Sequence, residues 1–405
     1  MDVELRPITR GELPAFVRVD SVGFGFIPEP DRADGWATHD FDRTLAAFDG
    51  DDLVGASRNY SLEVTPPGAA PIPAAGLSWV SVLPTHRRRG VLRAMMGGLL
   101  DDAAARNEPV AILTASEGGI YSRFGFGVAT RALEVELDRG RVQFRDAPPA
   151  GRLRLVDRSE AEVVAMDLFE QVRRTRTGAV ARPKPWWGDE FFDPRPRPRG
   201  IPYAVVFESD RGIDGLASYW VRRDPANQEA GTVDVFDVIP ATDEAGRALW
   251  QFLCGIDLTT TIHSDNVPLD TPLPWMLVSP RAMQVTGVAD WLWLRVLDAP
   301  RALEARGYTV EGRLVLELRD DLRPDGGAAG RFTLDAGPDG ASAARTDASP
   351  DLVLRVDDFG GAYLGDTRFG VLAQTGRVEE HTDGAVARAD AMFAADRAPF
   401  AWTHF

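Results

Sequence analysis

A β-branched strand, a turn of three arginines and a glycine, and an amphipathic helix follow one another between Gly76 and Ala103. Gly76–Pro84 carries Trp79, Val80 and Val82, residue types that suit a pleated, half-buried strand. After the turn Thr85-His86-Arg87-Arg88-Arg89-Gly90, the residues Leu92, Met95, Met96, Leu99, Leu100 and Ala103 recur at helical spacing and predict one buried helix face. A helix start leaves backbone N–H groups unpaired and carries partial positive charge. Glycine lets the backbone approach a ligand, and guanidinium groups add charge, so the turn predicts an anion site. Arg87–Arg89 alone would also suit a solvated basic loop; the flanking strand and helix favour the anion site.

A second strand, Pro109–Ala115, runs into Ser116-Glu117-Gly118-Gly119-Ile120-Tyr121-Ser122-Arg123-Phe124-Gly125-Phe126-Gly127. Neighbouring parallel strands that splay apart leave N–H and C=O groups unpaired, and an extended amide-bearing molecule can satisfy them. Read from the residues alone, Tyr121 serves equally as a buried ring with a satisfied hydroxyl or as a proton donor.

Arg87-Arg88-Arg89-Gly90-Val91-Leu92 resembles the pyrophosphate loop R/Q-x-x-G-x-G/A of the GNAT acetyltransferases, with Leu92 where a small residue is usual. Ser78–Arg93 together with Ala115–Gly127 resembles, more narrowly, the enhanced-intracellular-survival (Eis) family of N-acetyltransferases. That resemblance implies a mixed α/β and α+β fold: a GNAT domain over 1–147, a degenerate GNAT-like domain over 148–298 and a sterol-carrier-like domain over 299–405. It implies acetyl-CoA as cofactor, with Val80, Ser81 and Val82 along the pantetheine arm and Arg88, Arg89, Gly90, Val91, Leu92 and Arg93 at the pyrophosphate. Ser116 and Glu117 would line the opposite wall, and Trp36 and Trp79 the acceptor pocket. Acetyl transfer from a thioester to an amine needs a neutral amine, stabilisation of the oxyanion and a proton for the leaving thiolate. The resemblance gives Tyr121 the role of acid and the carboxylate of Phe405 that of base, by direct transfer. The segment Pro399-Phe400-Ala401-Trp402-Thr403-His404-Phe405 is aromatic and carries no acidic or strongly basic side chain, which favours burial over fraying.

The acceptor is the less determined part. The formal net charge of −16 argues against nucleic acid and favours cationic amines, aminoglycoside-like molecules or lysine side chains among them. His404, beside the last residue, and Gly23-Phe24-Gly25-Phe26, which lacks an acid, weaken the aminoglycoside reading. Cys254, the single cysteine, lies in an apolar helical pattern and reads as a buried hydrophobe, and the scattered histidines predict no metal site. No run reaches the ~18 apolar residues of a membrane helix, and charges in the first twenty residues exclude a signal-peptide core. A cytoplasmic enzyme is expected, and the family resemblance implies a homo-oligomer, a hexamer. A different class of function, a non-catalytic module that holds an apolar ligand or assembles subunits through its last domain, would have no need of the Arg88–Gly90 turn or of Tyr121.

Val235–Pro240 repeats the pattern of Val80–Pro84, and glycine again falls six residues after proline, at Gly246. Asp243, Glu244 and Ala245 replace the three arginines, so this second copy is expected to keep the fold and repel pyrophosphate. Ala181–Pro202, with six prolines, predicts a surface arm that is neither helix nor central strand and that can pack on another domain or subunit through Trp186 and Trp187. A short helix is expected over Arg301–Arg306. Strands over Arg313–Arg319, Phe332–Leu334, Ala341–Arg345 and Leu352–Val356 come next, followed by helices near Phe359–Leu364, Phe369–Ala373 and Ala385–Ala395.

Overall fold

The computed structural model describes residues 3–26, 40–187, 201–227 and 230–405. The first stretch of chain forms β1 (Glu4–Arg6), α1 (Leu13–Phe24), β2 (Ala46–Asp49), β3 (Asp52–Val64), β4 (Ile72–Val82), α2 (Val91–Ala105), β5 (Val110–Thr114), α3 (Gly118–Tyr121) and β6 (Gly127–Val128). The middle forms β7 (Arg131–Asp138), β8 (Arg152–Val156), α4 (Arg158–Arg173), α5 (Lys184–Trp186), β9 (Ile201–Ser209), β10 (Gly212–Arg222), β11 (Gly231–Pro240), α6 (Asp243–Cys254), β12 (Thr259–Pro268), α7 (Leu273–Met276), β13 (Met283–Asp290) and β14 (Leu292–Val296). The last forms α8 (Ala299–Glu304), β15 (Gly312–Arg319), β16 (Gly330–Gly337), β17 (Gly340–Arg345), β18 (Leu352–Arg355), α9 (Val356–Tyr363), α10 (Phe369–Gln374), β19 (Val378–Glu380) and α11 (Ala385–Met392).

These strands build three sheets, in the orders β1-β2-β3-β4-β5-β14-β6, β13-β7-β12-β11-β10-β9-β8 and β17-β16-β15-β18-β19. The first two exchange strands across the sequence. β14, late in the chain, inserts between β5 and β6, whereas β7, early in the chain, joins the second sheet. One compact unit accordingly gathers residues 1–129, 291–396 and 404–405, and the other residues 130–290 and 397–403.

In the first unit α1 covers one face of the first sheet, with Phe16 and Val19 packed on Ala46, Phe48 and Ala56. α2 covers the other face, where Val91 and Met95 meet Ala47, Val54 and Val82. Val91 takes the buried place at the helix start and Leu92 is half-buried, while Met95, Met96, Leu99, Leu100 and Ala103 are buried as expected. β14 carries Arg295 into the interior, where its guanidinium pairs with Asp320 and donates to the Phe124 carbonyl. In the third sheet, β16 and β17 form a hairpin that turns at Gly337–Gly340. The chain turns helical at Val356, one residue before the alternation of β18 would end. The short helix placed at Arg301–Arg306 begins earlier, at Ala299, because Asp298 accepts from Arg301 N and caps it.

In the second unit α4 and α6 pack on opposite faces of the sheet. The proline-rich stretch departs from expectation where it is described. Lys184–Trp186 forms a single helical turn with Pro185 near its start, which is tolerated because the first N–H groups of a helix need no intrahelical acceptor. Trp187 is buried edge-on against Phe169 within its own unit. Pro202 lies in β9 beyond the reach of β8, whose pairing runs only from Ala204 to Glu208. Cys254 is buried, and burial pushes its thiol up to about 12. Among the described residues no helix is long and apolar enough to cross a membrane, and no cluster of metal-ligating side chains occurs.

Candidate active site

β4 and β5 run parallel but pair only at Ala74–Val110, Ala75–Ala111 and Gly76–Ile112. Beyond Gly76 the two strands part, so the edge of β4 from Leu77 to Val82 no longer faces a β5 ladder. The separation begins beside a bulge. Between the pairs Ala56–Ser81 and Arg58–Ser78, β4 has one residue more than β3, and Trp79 takes the left-handed conformation, φ +59°. A bulge bends and twists its strand, and here it turns β4 away from β5. Val80, Ser81 and Val82 therefore lie on the parted stretch. The Ser81 hydroxyl is buried with no hydrogen-bond partner among the described residues.

The turn that follows is where the sequence places an anion site. Gly90 is the N-cap of α2 at φ +86°, with no side chain capping the helix, and a Cβ placed there would meet open space. Its role is conformational: a left-handed residue that delivers the chain into the helix with the first N–H groups exposed. Arg87 is spent on structure, donating to the carbonyls of Val82 and Gly23, each at 3.3 Å. Arg88 and Arg93 are exposed and make no ion pair among the described residues, and Arg89 is exposed beside them. A parted amide edge leading to an uncapped, basic helix start fits an extended chain that ends in phosphates.

Tyr121 ends the short helix α3 after β5. It is buried, tilted against Trp293 at 6.4 Å and edge-on to Phe126 at 6.3 Å. Its hydroxyl makes no hydrogen bond among the described residues. Burial first, and then the charge of Glu117, push the phenol above its ordinary value. The glycine after Phe124 explains much of the surrounding motif: Gly125 has φ +82°, and a Cβ there would lie 1.7 Å from Arg295 Nη1. Ser116 and Glu117 are exposed at the mouth of the turn, and Glu117 is the N-cap of α3.

Phe405 comes to the same place from the far end of the chain. Thr114, the last residue of β5, donates to a terminal oxygen of Phe405 at 2.5 Å, and Phe405 N donates back to Thr114 Oγ1 at 3.3 Å. The Phe405 ring lies over Gly76, where an added Cβ would come within 3.0 Å of it, and meets Tyr60 edge-on at 6.4 Å. The preceding residues are tied down within the second unit. Phe400 N donates to the Thr177 carbonyl, and Thr403 Oγ1 to that of Val180. On the α1 side, Trp79 stacks on Phe16 at 5.9 Å and Arg58 lies over Tyr60 at 4.1 Å. Trp36 falls outside the described residues. Sequence reasoning missed Thr114, Tyr60 and Arg58, because a threonine at a strand end and single polar residues inside a strand are commonplace.

In the second unit the same frame is kept without the anion site. β11 and β12 are parallel and pair only as far as Asp234–His263, and β11 carries a bulge opposite Ser218–Tyr219. Its helix, however, begins at Asp243, not after Gly246. Thr242 accepts from Ala245 N, and Asp243 and Glu244 occupy the first turn. The helix start is thus capped by its own side chain and carries acidic residues in its first turn. Gly246 lies inside the helix, so its spacing from Pro240 does not make it a counterpart of Gly90.

A seven-stranded sheet with a bulged strand parting from its parallel neighbour at a basic helix start is the architecture of GNAT acetyltransferases. A GNAT acetyltransferase domain model matches residues 4–129, a second one residues 178–296, and a sterol carrier protein domain model residues 299–402. The chain is 35% identical to N-acetyltransferase Eis of Mycobacterium tuberculosis, with 98% of each chain covered. It is 39% identical to an uncharacterized N-acetyltransferase of Streptomyces griseus over 99% of both. The crystal structure of Eis1 from Mycobacterium abscessus superposes with a TM-score of 0.90 at 34% identity, covering 99% of this chain and 100% of that one. The chain belongs to the Eis family of N-acetyltransferases, with tandem GNAT domains, a sterol-carrier-like third domain and acetyl-CoA as acetyl donor.

Proposed function

We propose that this protein acetylates a primary amine by direct transfer, with Tyr121 as acid, the Phe405 carboxylate as base and one working site per chain. The observation that carries the reading is the anchoring of both groups to the end of β5: Phe405 on Thr114, and Tyr121 in the turn that follows. Bound acetyl-CoA supplies the acetyl group as a thioester, held along Val80–Val82 and at Arg88–Arg93, with Ser116 and Glu117 on the facing wall.

The Phe405 carboxylate takes the proton that the attacking amine releases as its N–C bond forms. Tyr121 Oη, kept as a phenol by its burial, gives a proton to the sulfur as the C–S bond breaks. One proton is taken up at the terminus for each one given by the tyrosine, and the products are an N-acetyl amine and a thiol. The Thr114 hydroxyl, which donates to one terminal oxygen, orients the carboxylate and is a positioning residue. Trp79 and Tyr60 supply aromatic walls on the acceptor side, and the net charge of −16 draws cationic amines at long range.

The test is a chain extended by a few residues beyond Phe405, assayed by free-thiol release with an amine panel. Turnover should fall by ~100-fold or more, the scale of a lost general base, while saturating acetyl-CoA still raises the melting temperature. Full activity in the extended protein would remove Phe405 from the mechanism.

A further inference from the structure

The least compensated charge beside this site belongs to Arg58. It lies on β3 opposite Ser78, two residues past the point where β5 leaves β4. Only 3% of it is exposed, and its Nε and Nη1 are buried with no hydrogen-bond acceptor among the described residues. Its guanidinium rests over Tyr60 at 4.1 Å and reaches Trp79 at 5.8 Å. Tyr60 in turn touches the Phe405 ring, and Trp79 stacks on Phe16 of α1.

The nearby carboxylates do not neutralise it. Glu108 is held through both oxygens by Arg43, at 2.6 and 2.7 Å. Asp102 is engaged by Arg106 at 2.8 Å. Asp40 is exposed and acts on Arg58 only through space, while Arg43 opposes it with like charge. Burial is the largest influence on the Arg58 guanidinium and pushes it below its ordinary value. Ring faces offset part of the loss of water around a buried cation, but they leave its N–H donors unmet. A planar fork with free donors is suited to a carboxylate, which accepts two of them at once.

We propose that Arg58 is the anion clamp of the acceptor pocket and that the amine acetylated here also bears a carboxylate, as a free amino acid does. This rests on the transfer reading above, in which Phe405 receives the amine proton. An acceptor whose carboxylate is held by Arg58 is placed beside Tyr60, the ring that the Phe405 side chain also contacts, and its amine remains available to the terminal carboxylate. A polycation gains from the overall field of the molecule yet meets a buried positive charge at the pocket. Long-range attraction and short-range selection thus act in opposite senses, and the short-range contact decides which bound amine is held for reaction.

The experiment compares acceptors that differ only by the carboxylate: lysine against cadaverine, and phenylalanine against phenethylamine. Rates are read as thiol release, and binding by calorimetry with desulfo-CoA present. The native protein should favour the carboxylate-bearing member of each pair by at least tenfold in kcat/KM. In Arg58→Gln, which keeps N–H donors without the charge, that ratio should fall toward one. Arg58→Lys, which keeps the charge without the fork, should fall between. A native preference for the decarboxylated amines, or a ratio that Arg58→Gln leaves unmoved, overturns the inference, as does failure of both amino acids to bind. The native ratios decide the matter even if the Arg58 variants do not fold. Amino-acid binding that depends on Arg58 without any turnover would instead remove the transfer reading and leave the clamp standing.

Discussion

At the scale of single residues, the site is built from groups whose surroundings fix their protonation. Tyr121 is the clearest case: with its phenol held above the ordinary range by burial, it carries a proton throughout the physiological range. Tyr121→Phe should lower kcat by ~100-fold and preserve stabilisation by acetyl-CoA; an unchanged kcat would release it from the acid role. Asp20, on the buried face of α1, makes a separate prediction. Its Oδ1 has no partner among the described residues, and burial pushes the carboxyl up to about 7. An unfolded aspartate titrates near ~4, so between those values the folded chain keeps a proton that the unfolded chain releases, and stability falls as pH rises through that window. Asp20→Asn should therefore gain on the parent by up to ~3 kcal/mol between pH 5 and pH 8 in urea melts. A difference independent of pH would count against the assignment. Arginines at a turn advertise themselves in a sequence, and the Arg88–Gly90 turn stood out for that reason, whereas Tyr121 was singled out only through the family resemblance. Arg58 and Asp20 were not, because a charged residue inside an element becomes informative only when its burial and its missing partners are known.

Elements show how alike two sequences can look and how differently they start a helix. Val80–Pro84 and Val235–Pro240 share a strand pattern and a glycine six residues after proline. α2 nevertheless begins seven residues after its proline and α6 three residues after. The difference lies in Thr242, a good N-cap followed by two acids, which nucleates α6 early. The first copy has no such residue and enters α2 through a left-handed glycine. Spacing was legible in the sequence; the competition between caps was decided by hydrogen bonds such as Ala245 N to Thr242 Oγ1. Thr242→Ala should cost about 1 kcal/mol of stability and leave the KM for acetyl-CoA unchanged. Gly90→Ala, strained by about 1 kcal/mol at positive φ, should raise that KM several-fold because the strain falls on the turn proposed to hold the phosphates. Equal effects on KM from both variants would contradict the asymmetry between the copies.

For the whole molecule, the decisive feature is the exchange of β7 and β14 between sheets. Domain order could be followed along the sequence, but strand exchange could not, since Leu292-Trp293-Leu294-Arg295-Val296 reads as a strand without naming its partners. Those partners are β5 and β6, and the Arg295 guanidinium fills the space that Gly125 leaves open beside the Tyr121 turn. A chain ending at Ala147 lacks β14, so it leaves the flank of β5 unpaired and the loop around Phe124 without its arginine. Such a fragment should show no cooperative thermal transition and no stabilisation by acetyl-CoA. A well-folded, ligand-responsive fragment would mean that β14 is dispensable.

The same exchange sets a timetable for synthesis. Strand β5 leaves the ribosome early, yet the strand that completes its flank is made only when translation reaches Val296. At ~5–20 residues per second, that edge stays open for on the order of ten seconds or more. An unpaired strand edge is a template for wrong partners. The nascent protein therefore carries the strand beside its proposed acetyl-CoA site half-paired through nearly half of its synthesis, and a slowed ribosome or a scarce chaperone should cost active enzyme long before it costs total protein.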